Sequence, residues 1–321
     1  MDLLFRALRI LGVGEPLSAD FLARKLNVTR DRIAQTLTEA RGLGVDITAS
    51  RGQGYVLNAA VDWLTPAGVA AAMGAAAAQC DLHVMEHVLS TNDAILQIPS
   101  NPSVRGVALV AELQHGGRGR RGRRWHTGLG NALTFSLMQT LRVPQTSLPA
   151  VSLVAGIGVC RALRECGAVG LMLKWPNDLI SAQGKLGGIL VESVPQRGMG
   201  TVVIGIGINV TLPAGIKSGI DQAVCDARAL GLTCNRDVLL GACLRHLLAA
   251  LAQFEREGFD GLRQEWQANA AYLSQHVSLL SSQGHCEQGI MVGIAEDGAL
   301  LLGTAHGQKK IYSGDVSLRH A

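Results

Sequence analysis

The chain has 321 residues, and 48% of them are hydrophobic, so it is long and apolar enough for two or three domains with buried cores. Aromatic residues make up only 4%, so we expect mainly aliphatic cores, and the 39 glycines are scattered, which excludes a low-complexity linker. The net charge of +4 is mild, but five of the 29 basic residues fall in the seven positions from Arg118 to Arg124. Such clustering produces a stronger local field than the total charge would suggest.

The cysteines and the apolar segments indicate a reduced, cytoplasmic protein without membrane association. The seven cysteines are an odd number and form no C-x-x-C pair, which argues against a disulfide framework and a zinc ribbon. Asp2, Arg6 and Arg9 interrupt the N-terminal apolar stretch and exclude a signal peptide. The longest apolar run, residues 148–160, is shorter than the roughly 20 residues that span a bilayer, so we predict a buried core helix there.

Residues 1–60 are predicted to form a winged helix-turn-helix unit. Leucines at positions 4, 8 and 11 share one helical face, Ser18 is placed to cap a second helix, and Thr29 is placed to cap a third. Short strands at residues 45–48 and 55–57 flank a glycine-containing hairpin tip at residues 51–54. In this fold the third helix enters the DNA major groove and the wing contacts the backbone.

The same unit is also compatible with a structural or docking role. It carries eight Lys and Arg residues against six Asp and Glu residues, a small excess for a DNA-binding surface. Asp31 and Glu39 lie on or near the third helix, where DNA phosphates would repel them. DNA binding and docking therefore both stay open.

A stretch at residues 58–66, containing Asp62 and Pro66, is predicted to link this unit to a catalytic domain at residues 67–270. Strands are predicted at 107–113, 132–138, 171–174, 189–193 and 201–210, and helices at 150–166 and 236–257. This mixture favours an α/β or α+β domain. Residues 271–321 contain short strands and a hairpin signal at Asp297-Gly298, which predicts a small β-barrel of SH3 size.

The segment from Gln114 to Trp125 carries the clearest chemical signal. Glycines let a backbone approach a ligand closely, and arginines present forked donors to phosphate and carboxylate oxygens. We therefore predict a mobile loop that orders over an anion and excludes water.

Other interpretations of this loop fit less well. Gly117, Gly119 and Gly122 match the dinucleotide pattern G-x-G-x-x-G, but no helix pattern follows, and Arg142 stands where an acidic residue is needed. A Walker loop fails because no Gly-Lys-Ser/Thr follows. A nucleic-acid-binding arginine segment stays possible.

Two further clusters accompany the loop. Lys174-Trp-Pro-Asn177-Asp178 is predicted to place Asn177 and Asp178 in a turn beyond a strand, and Lys185 begins the strand Lys-Leu-Gly-Gly-Ile-Leu-Val-Glu192. Leu89-Ser90-Thr91-Asn92 is either a helix cap before a helix at residues 94–98 or a set of ligand-binding polar groups.

The segment His83-Val-Met-Glu86-His87 matches the inverted zinc-protease signature H-x-x-E-H. It is short, and no downstream partner motif is evident. A metalloprotease is therefore only a minor alternative.

Taken together, these segments resemble the biotin–protein ligases, and specifically the bifunctional bacterial type that also represses the biotin operon. The motifs stand in the family's order, including Gly205-Ile-Gly-Ile-Asn209, and span nearly the whole chain. The resemblance implies an α+β multidomain protein. It would have an N-terminal winged helix-turn-helix, a central mixed α/β, class II synthetase-like ligase domain and a C-terminal SH3-like β-barrel.

The resemblance also implies roles for individual residues. A biotin-binding set would comprise Ser90, Thr91, Asn92, Gln114, Arg118, Gly119, Arg120 and Lys185. A catalytic set would comprise Lys185, Arg118, Arg120 and Asp178. A nucleotide-binding set would comprise Trp125, Asn177, Asn209, Arg121 and Arg319, with Asp315 also reaching the nucleotide side. Asn177, Asp178 and Asn209 would surround the adenylate, the metal and the incoming lysine, although no side chain is assigned as a dedicated metal ligand.

Biotin and ATP are the implied substrates, with Mg²⁺ on the phosphates. The implied partners are a biotin carboxyl carrier protein, operator DNA and a second copy of the adenylate-loaded chain. Two alternatives stay open: a ligase whose N-terminal unit does not bind DNA, and a lipoate-type ligase. The sequence departs from the family at His115-Gly116, where many members have other small residues, and in the acidic residues of the third helix.

Overall fold

The protein is described by a computed structural model that covers residues 1–50, 53–99, 101–198, 200–281, 286–312 and 316–320. The side chains of residues 196, 281, 316, 317, 319 and 320 lie outside that description. Within it, three units follow one another along the chain, and the predicted fold class is confirmed: a helix-turn-helix, a mixed α/β core and a small antiparallel β unit.

The N-terminal unit consists of three helices and a hairpin. They are α1 (Asp2–Ile10), α2 (Ala19–Leu26), α3 (Arg30–Gly42), β1 (Ile47–Ser50) and β2 (Gly54–Leu57). Ser18 Oγ accepts a hydrogen bond from Phe21 N at 3.1 Å, and Thr29 Oγ1 accepts one from Arg32 N at 3.3 Å, so both predicted caps are present. The first strand begins two residues later than predicted, and part of the predicted hairpin tip, residues 51–52, lies outside the described residues.

The central unit is built on a seven-stranded sheet. Its strands are β3 (Cys80–Val88), β4 (Gly106–Gln114), β5 (Ala132–Thr140), β6 (Met172–Lys174), β7 (Asp178–Ser181), β8 (Gly184–Ser193) and β9 (Thr201–Asn209). The strand order is β3-β4-β5-β9-β8-β7-β6, and β3–β4 is the parallel pair while the other neighbours are antiparallel. Strand β3, which contains the H-x-x-E-H segment, was not predicted from the sequence.

Six helices accompany the sheet: α4 (Pro66–Met73), α5 (Thr91–Ile95), α6 (Val151–Glu165), α7 (Ala214–Lys217), α8 (Arg236–Glu257) and α9 (Asp260–Ala268). The long helices α6 and α8 pack together over one face, where Phe135, Leu137 and Ile204 are buried. The short helix α5 covers only one end of the other face. The rest of that face is left available for a ligand.

Two helical segments, Gln145–Glu165 and Arg236–Glu257, are long and apolar enough to cross a membrane by length and composition alone. In each, 67% of the apolar window is buried inside the protein. That burial agrees with the predicted core helix, because helices that are apolar all round are also found in the centres of large globular domains.

The C-terminal unit is a five-stranded antiparallel sheet. Its strands are β10 (His276–Ser281), β11 (Cys286–Ile294), β12 (Leu300–Thr304), β13 (Gly307–Ile311) and β14 (Val316–His320), in the order β13-β12-β11-β10-β14. Trp175, only 1% exposed, donates its indole N–H to Gly298 O at 3.1 Å. The turn before β7 is therefore tied to the C-terminal unit.

The stretch predicted to be a linker is held firmly against the core. Leu64 N donates to Glu112 Oε1 at 2.6 Å, and Glu112 forms a buried ion pair with Arg236 at the start of α8. Arg236 also donates to the carbonyl of Asp62. These contacts fix the chain between the first two units, because a buried charge must be paired to be tolerated.

Helix α1 rests directly on the core. The Arg9 guanidinium lies 4.7 Å from the ring centroid of Trp63 and 3.3 Å from Glu86 Oε1, and Phe5 stacks on His87 with centroids 6.0 Å apart. The N-terminal unit therefore contacts β3 close to the end of β4.

The cysteines behave as the composition predicts. Burial raises the pKa of the Cys80 and Cys160 thiols to about 12, so both stay protonated and unreactive near neutral pH. All seven cysteines are free thiols, and five of them are buried.

Candidate active site

A cavity of about 180 Å³ opens on the face of the sheet that α5 leaves uncovered. Its walls are the start of α5, the end of β4, the arginine-rich loop, the β6–β7 hairpin and the middle of β8 and β9. It brings together every sequence-predicted site residue except Asn209, Arg319 and Asp315: Ser90, Thr91, Asn92, Gln114, Arg118, Gly119, Arg120, Arg121, Trp125, Asn177, Asp178 and Lys185.

One end of the cavity is lined by buried polar groups at the start of α5. Ser90 caps this helix, and its Oγ accepts a hydrogen bond from Asp93 N at 3.4 Å. Thr91 N donates to Gln114 Oε1 at 2.7 Å across the end of β4. The helix therefore begins at Thr91, and the predicted start at residue 94 was wrong because the side chain of Gln114 supplies an acceptor from a distant strand.

A chain of polar contacts continues below this end. Ser136 Oγ lies 2.8 Å from Thr91 Oγ1 and 2.6 Å from Asn92 Oδ1, and Asn92 Nδ2 donates to Glu192 Oε2 at 2.6 Å. Ser136 was not among the predicted site residues. Its position between Phe135 and Leu137 in a buried strand was the available signal, because buried hydroxyls need partners.

Two glycines of β9 form the floor of the cavity. A Cβ on Gly205 would collide with the Asn92 amide, and one on Gly207 would lie 2.5 Å from Cε2 of Trp125. Real side chains do not approach so closely. Glycine is therefore required at both positions for Asn92 and Trp125 to lie against the sheet.

The arginine-rich loop folds across the opening as a short turn. Trp125 N donates to Gly117 O at 2.9 Å, and Gly119 N donates to Arg123 O at 2.7 Å, while Arg121 adopts a left-handed backbone with φ +60°. The turn contains only a three-residue 3₁₀ segment, Arg120–Gly122. The dinucleotide interpretation fails here, since that motif must open an α-helix.

Two arginines tie this turn to the cavity walls. Arg118 forms paired hydrogen bonds of 2.7 and 2.6 Å with Asp93, a residue that the sequence analysis did not assign to the site. These bonds raise the pKa of the Arg118 guanidinium above its usual value. Arg120 Nη1 donates to Asn177 Oδ1 at 3.4 Å. The loop is thus held on one side by α5 and on the other by the β6–β7 turn.

Lys185 and Asp178 face one another across β7 and β8. Lys185 Nζ lies 2.7 Å from Asp178 Oδ1, and both side chains are about one-fifth exposed, at 20% and 23%. Asp178 is the first residue of β7 and not a turn residue, because the register pairs it with Lys174. Asn177 stays in the turn, where its Nδ2 donates to Ile189 O at 2.8 Å.

Trp125 closes the other end of the cavity. Within the described part of the chain, its Nε1 is buried without a hydrogen-bond partner. A buried indole N–H normally finds an acceptor. The ring edge is therefore a candidate ligand contact.

Asn209 lies behind the cavity wall, and its role beside the nucleotide stays a prediction. It is 4% exposed and does not line the cavity, and its Nδ2 donates to Cys225 O at 3.1 Å and to Lys185 O at 3.4 Å. It supports the backbone of Lys185 from behind. Asp315 lies outside the described residues, as does the side chain of Arg319, while the neighbouring Leu318 lines the cavity.

The cavity wall is strongly cationic. Among the described residues, its lining includes one carboxylate, Asp178, and seven cationic side chains: Arg118, Arg120, Arg121, Arg123, Arg124, Lys174 and Lys185. Such a wall attracts an anion with several charges, since the low-dielectric surroundings strengthen the attraction.

The H-x-x-E-H segment lies on β3 and not on a helix, so its two histidines do not have the spacing of a zinc-protease helix. His83 lies 3.2 Å from Asp81, and His87 lies 3.6 Å from Asp2. Within the described ranges no group of three or more His, Cys, Asp or Glu side chains is arranged to hold a metal.

Comparison with known proteins accounts for all three units. An HTH domain matches residues 4–56, the biotin/lipoate A/B protein ligase family matches residues 84–209, and the biotin protein ligase C-terminal domain matches residues 272–319. The bifunctional ligase/repressor BirA of Escherichia coli is 32% identical over 318 residues, which are 98% of this chain and 97% of that protein. The chain belongs to the biotin protein ligase family.

Other members of the biotin protein ligase family agree. The bifunctional ligase/repressor BirA of Bacillus subtilis is 28% identical over 95% of this chain and 94% of its own length. The structure of the Aquifex aeolicus biotin protein ligase in complex with biotin and ATP superposes with a TM-score of 0.64 at 31% identity, covering 75% of this chain and 99% of that one. The three-unit fold expected from the resemblance is therefore that of this family, with the helix-turn-helix added to the ligase core.

Proposed function

We propose that this protein activates biotin with ATP to biotinyl-5′-AMP and transfers the biotin to a lysine of a biotin carboxyl carrier protein. The observation that carries the proposal is the combination, in one cavity, of a buried polar end at Ser90–Asn92 and a cationic wall around Lys185. The polar end suits an uncharged, hydrogen-bonding head group. The cationic wall suits a carboxylate and a nucleotide phosphate.

In the first step, the biotin carboxylate attacks the α-phosphate of ATP, a mixed anhydride forms and pyrophosphate leaves. Both reactants are anions, so part of the barrier is charge repulsion, which Arg118, Arg120 and Lys185 offset. Holding the two reactants side by side can itself supply about 7–11 kcal/mol of the acceleration. No covalent intermediate on the enzyme is needed.

The biotin head group lies against Ser90, Thr91, Asn92 and Gln114, with the carboxylate toward Gly119 and Lys185. Trp125 and Arg121 lie on the nucleotide side, together with Asn177. The indole N–H of Trp125 has no partner among the described residues, and it donates a hydrogen bond to an acceptor of the nucleotide.

The loop serves as a lid over the reactive adenylate. A mixed anhydride hydrolyses readily, so water must be kept away until the acceptor lysine arrives. The hydrogen bonds of Arg118 with Asp93 and of Arg120 with Asn177 hold this lid closed. Opening requires both to break.

In the second step, the lysine amine attacks the acyl carbon and AMP leaves. Among the described residues, Asp178 is the carboxylate that lines the cavity, and it orients the amine while also fixing Lys185. One carboxylate and the amide oxygen of Asn177 fit a Mg²⁺ ion that is held mainly through substrate phosphates. When bound, such an ion neutralises phosphate charge.

A second function, repression of biotin-synthesis genes, is favoured by the exposed surface of α3. Arg30, Arg32, Gln35 and Thr38 are solvent-exposed on this helix, beside the exposed Asp31 and Glu39. Arginine and glutamine are suited to base edges in the major groove. We propose a cytoplasmic protein that dimerises when loaded with the adenylate and then binds operator DNA.

The ligase proposal is tested by biotin-dependent pyrophosphate release from ATP, with recovery of the acyl-adenylate. Replacing biotin with lipoate in this assay distinguishes a biotin ligase from a lipoate-type ligase. We expect pyrophosphate release with biotin and none with lipoate. Release that depends equally on lipoate would contradict the choice of substrate. A gel-shift assay with biotin-operon DNA, with and without biotin and ATP, separates a repressor from a ligase whose N-terminal unit does not bind DNA.

A further inference from the structure

A second cavity, of about 750 Å³, lies at the opposite end of the central sheet. The first cavity adjoins Gln114 at the end of β4, and the second adjoins Gly106 at its start. Eight residue steps along a strand separate the two ends by about 26 Å. The second cavity is therefore a separate site.

The floor of this cavity is the side chain of Gln139, which is 3% exposed. Gly106 is its register partner across β4 and β5, and both residues direct their substituents to the same face. Both residues line the second cavity. Within the described part of the chain, Gln139 Oε1 is buried with no hydrogen-bond partner.

The rim of the cavity is basic. Arg105, Arg142, Arg197 and Arg256 line it, together with a single carboxylate, Glu255 at the end of α8. Glu255 pairs with Arg105 and also accepts a hydrogen bond from Arg142 N at 2.9 Å. The Arg142 guanidinium has no partner among the described residues.

These three features call for one kind of ligand. Arg105 pairs with Glu255, and Arg256 pairs with Glu257 outside the cavity lining. The Arg142 guanidinium therefore supplies the positive charge that a phosphate or carboxylate would balance. The unpaired amide oxygen of Gln139 needs a donor, such as a hydroxyl, because an unsatisfied buried acceptor is costly. The cavity volume of about 750 Å³ leaves room for a small molecule of that kind.

We propose that this second cavity binds a small hydroxylated organic anion. The Arg142 guanidinium holds the charged group. Gln139 accepts a hydrogen bond from the ligand's hydroxyl. None of these residues belongs to the first cavity.

The test is isothermal titration of the full-length protein at low salt with two probes, glycerol 3-phosphate and methyl phosphate. Both carry a phosphate, and only the first has hydroxyl donors on its carbon chain. Saturable binding of glycerol 3-phosphate is expected. Arg142→Gln should weaken both probes by about tenfold or more, because it removes a charge-assisted hydrogen bond.

Gln139→Leu should weaken glycerol 3-phosphate and leave methyl phosphate unchanged. Arg263→Gln, on the exposed surface of α9, is the matched control and should change neither. Absence of saturable binding overturns the proposal, as does equal binding by the Arg142→Gln and wild-type proteins. Loss of binding in Lys185→Ala, a variant of the first cavity, also overturns it, since the probes would then occupy that cavity.

Discussion

Replacing Gly207 with alanine should weaken the binding of ATP more than that of biotin. The added Cβ would lie 2.5 Å from Cε2 and 2.7 Å from Nε1 of Trp125, so the indole must move from the place where it would contact the nucleotide. Overpacking of this kind costs about 1–3 kcal/mol. At about 1.4 kcal/mol for each factor of ten, the KM for ATP should rise about 5- to 150-fold.

The neighbouring Gly205→Ala variant gives the reciprocal case, because its Cβ would collide with Asn92 at the biotin end. Its KM for biotin should rise while that for ATP changes less. Gly215→Ala is the matched control, since nothing lies within 4 Å of the added methyl group. Both KM values are measured by pyrophosphate release, with thermal unfolding as a check on folding. If Gly207→Ala left the KM for ATP unchanged, the assignment of Trp125 to the nucleotide would be refuted.

Four further predictions concern single residues. Lys185→Ala should slow adenylate formation about 100- to 1,000-fold, as loss of one charge-stabilising group typically does, and unchanged pyrophosphate release would exclude its role. Arg118→Gly removes the contact with Asp93, so the adenylate should escape and biotin should appear on bystander proteins; labelling confined to the carrier would contradict the lid. Arg236→Met leaves Glu112 buried and unpaired and should lower the free energy of unfolding by about 3–5 kcal/mol. In the unaltered protein, burial raises the pKa of Glu112, while the charge and hydrogen bond of Arg236 lower it. Loss of Arg236 therefore raises the pKa of Glu112 further. Protonation of Glu112 then stabilises the folded variant. The loss of stability relative to the unaltered protein, measured by thermal melts, should therefore shrink as the pH falls from 8 to 5. Arg32→Ala should weaken operator binding about tenfold with ligase activity intact, and unaltered gel shifts would remove α3 from the DNA interface.

The parts of the site that the sequence predicts are those whose chemistry is local. The spacing of arginine and glycine in the loop, and the run from Lys174 to Asp178, mark anion-binding segments without any knowledge of tertiary contacts. The missing parts depend on strand register. Ser136 meets Asn92 because β5 passes under α5, a contact between residues 44 positions apart.

Register also determines two features that the sequence pattern does not show. Asn209 ends β9, and strand pairing places its amide against the carbonyl of Lys185 and not in the cavity. Strand β3 was missed because its His, Asp and Glu residues conceal the apolar pattern, and it is stabilised by parallel pairing with β4. Such pairing is not encoded locally, since strand propensity depends on neighbours across the sheet.

The central claim is transfer of biotin to a carrier lysine, and the most direct test is the intact mass of a biotin carboxyl carrier domain. The domain is incubated with the protein, biotin and ATP, and compared with a carrier whose acceptor lysine is replaced by arginine. We predict a gain of one biotinyl group on the first carrier, none on the second, and none when ATP is omitted. An unchanged mass of the first carrier, while pyrophosphate is still released, would contradict the proposed transfer step.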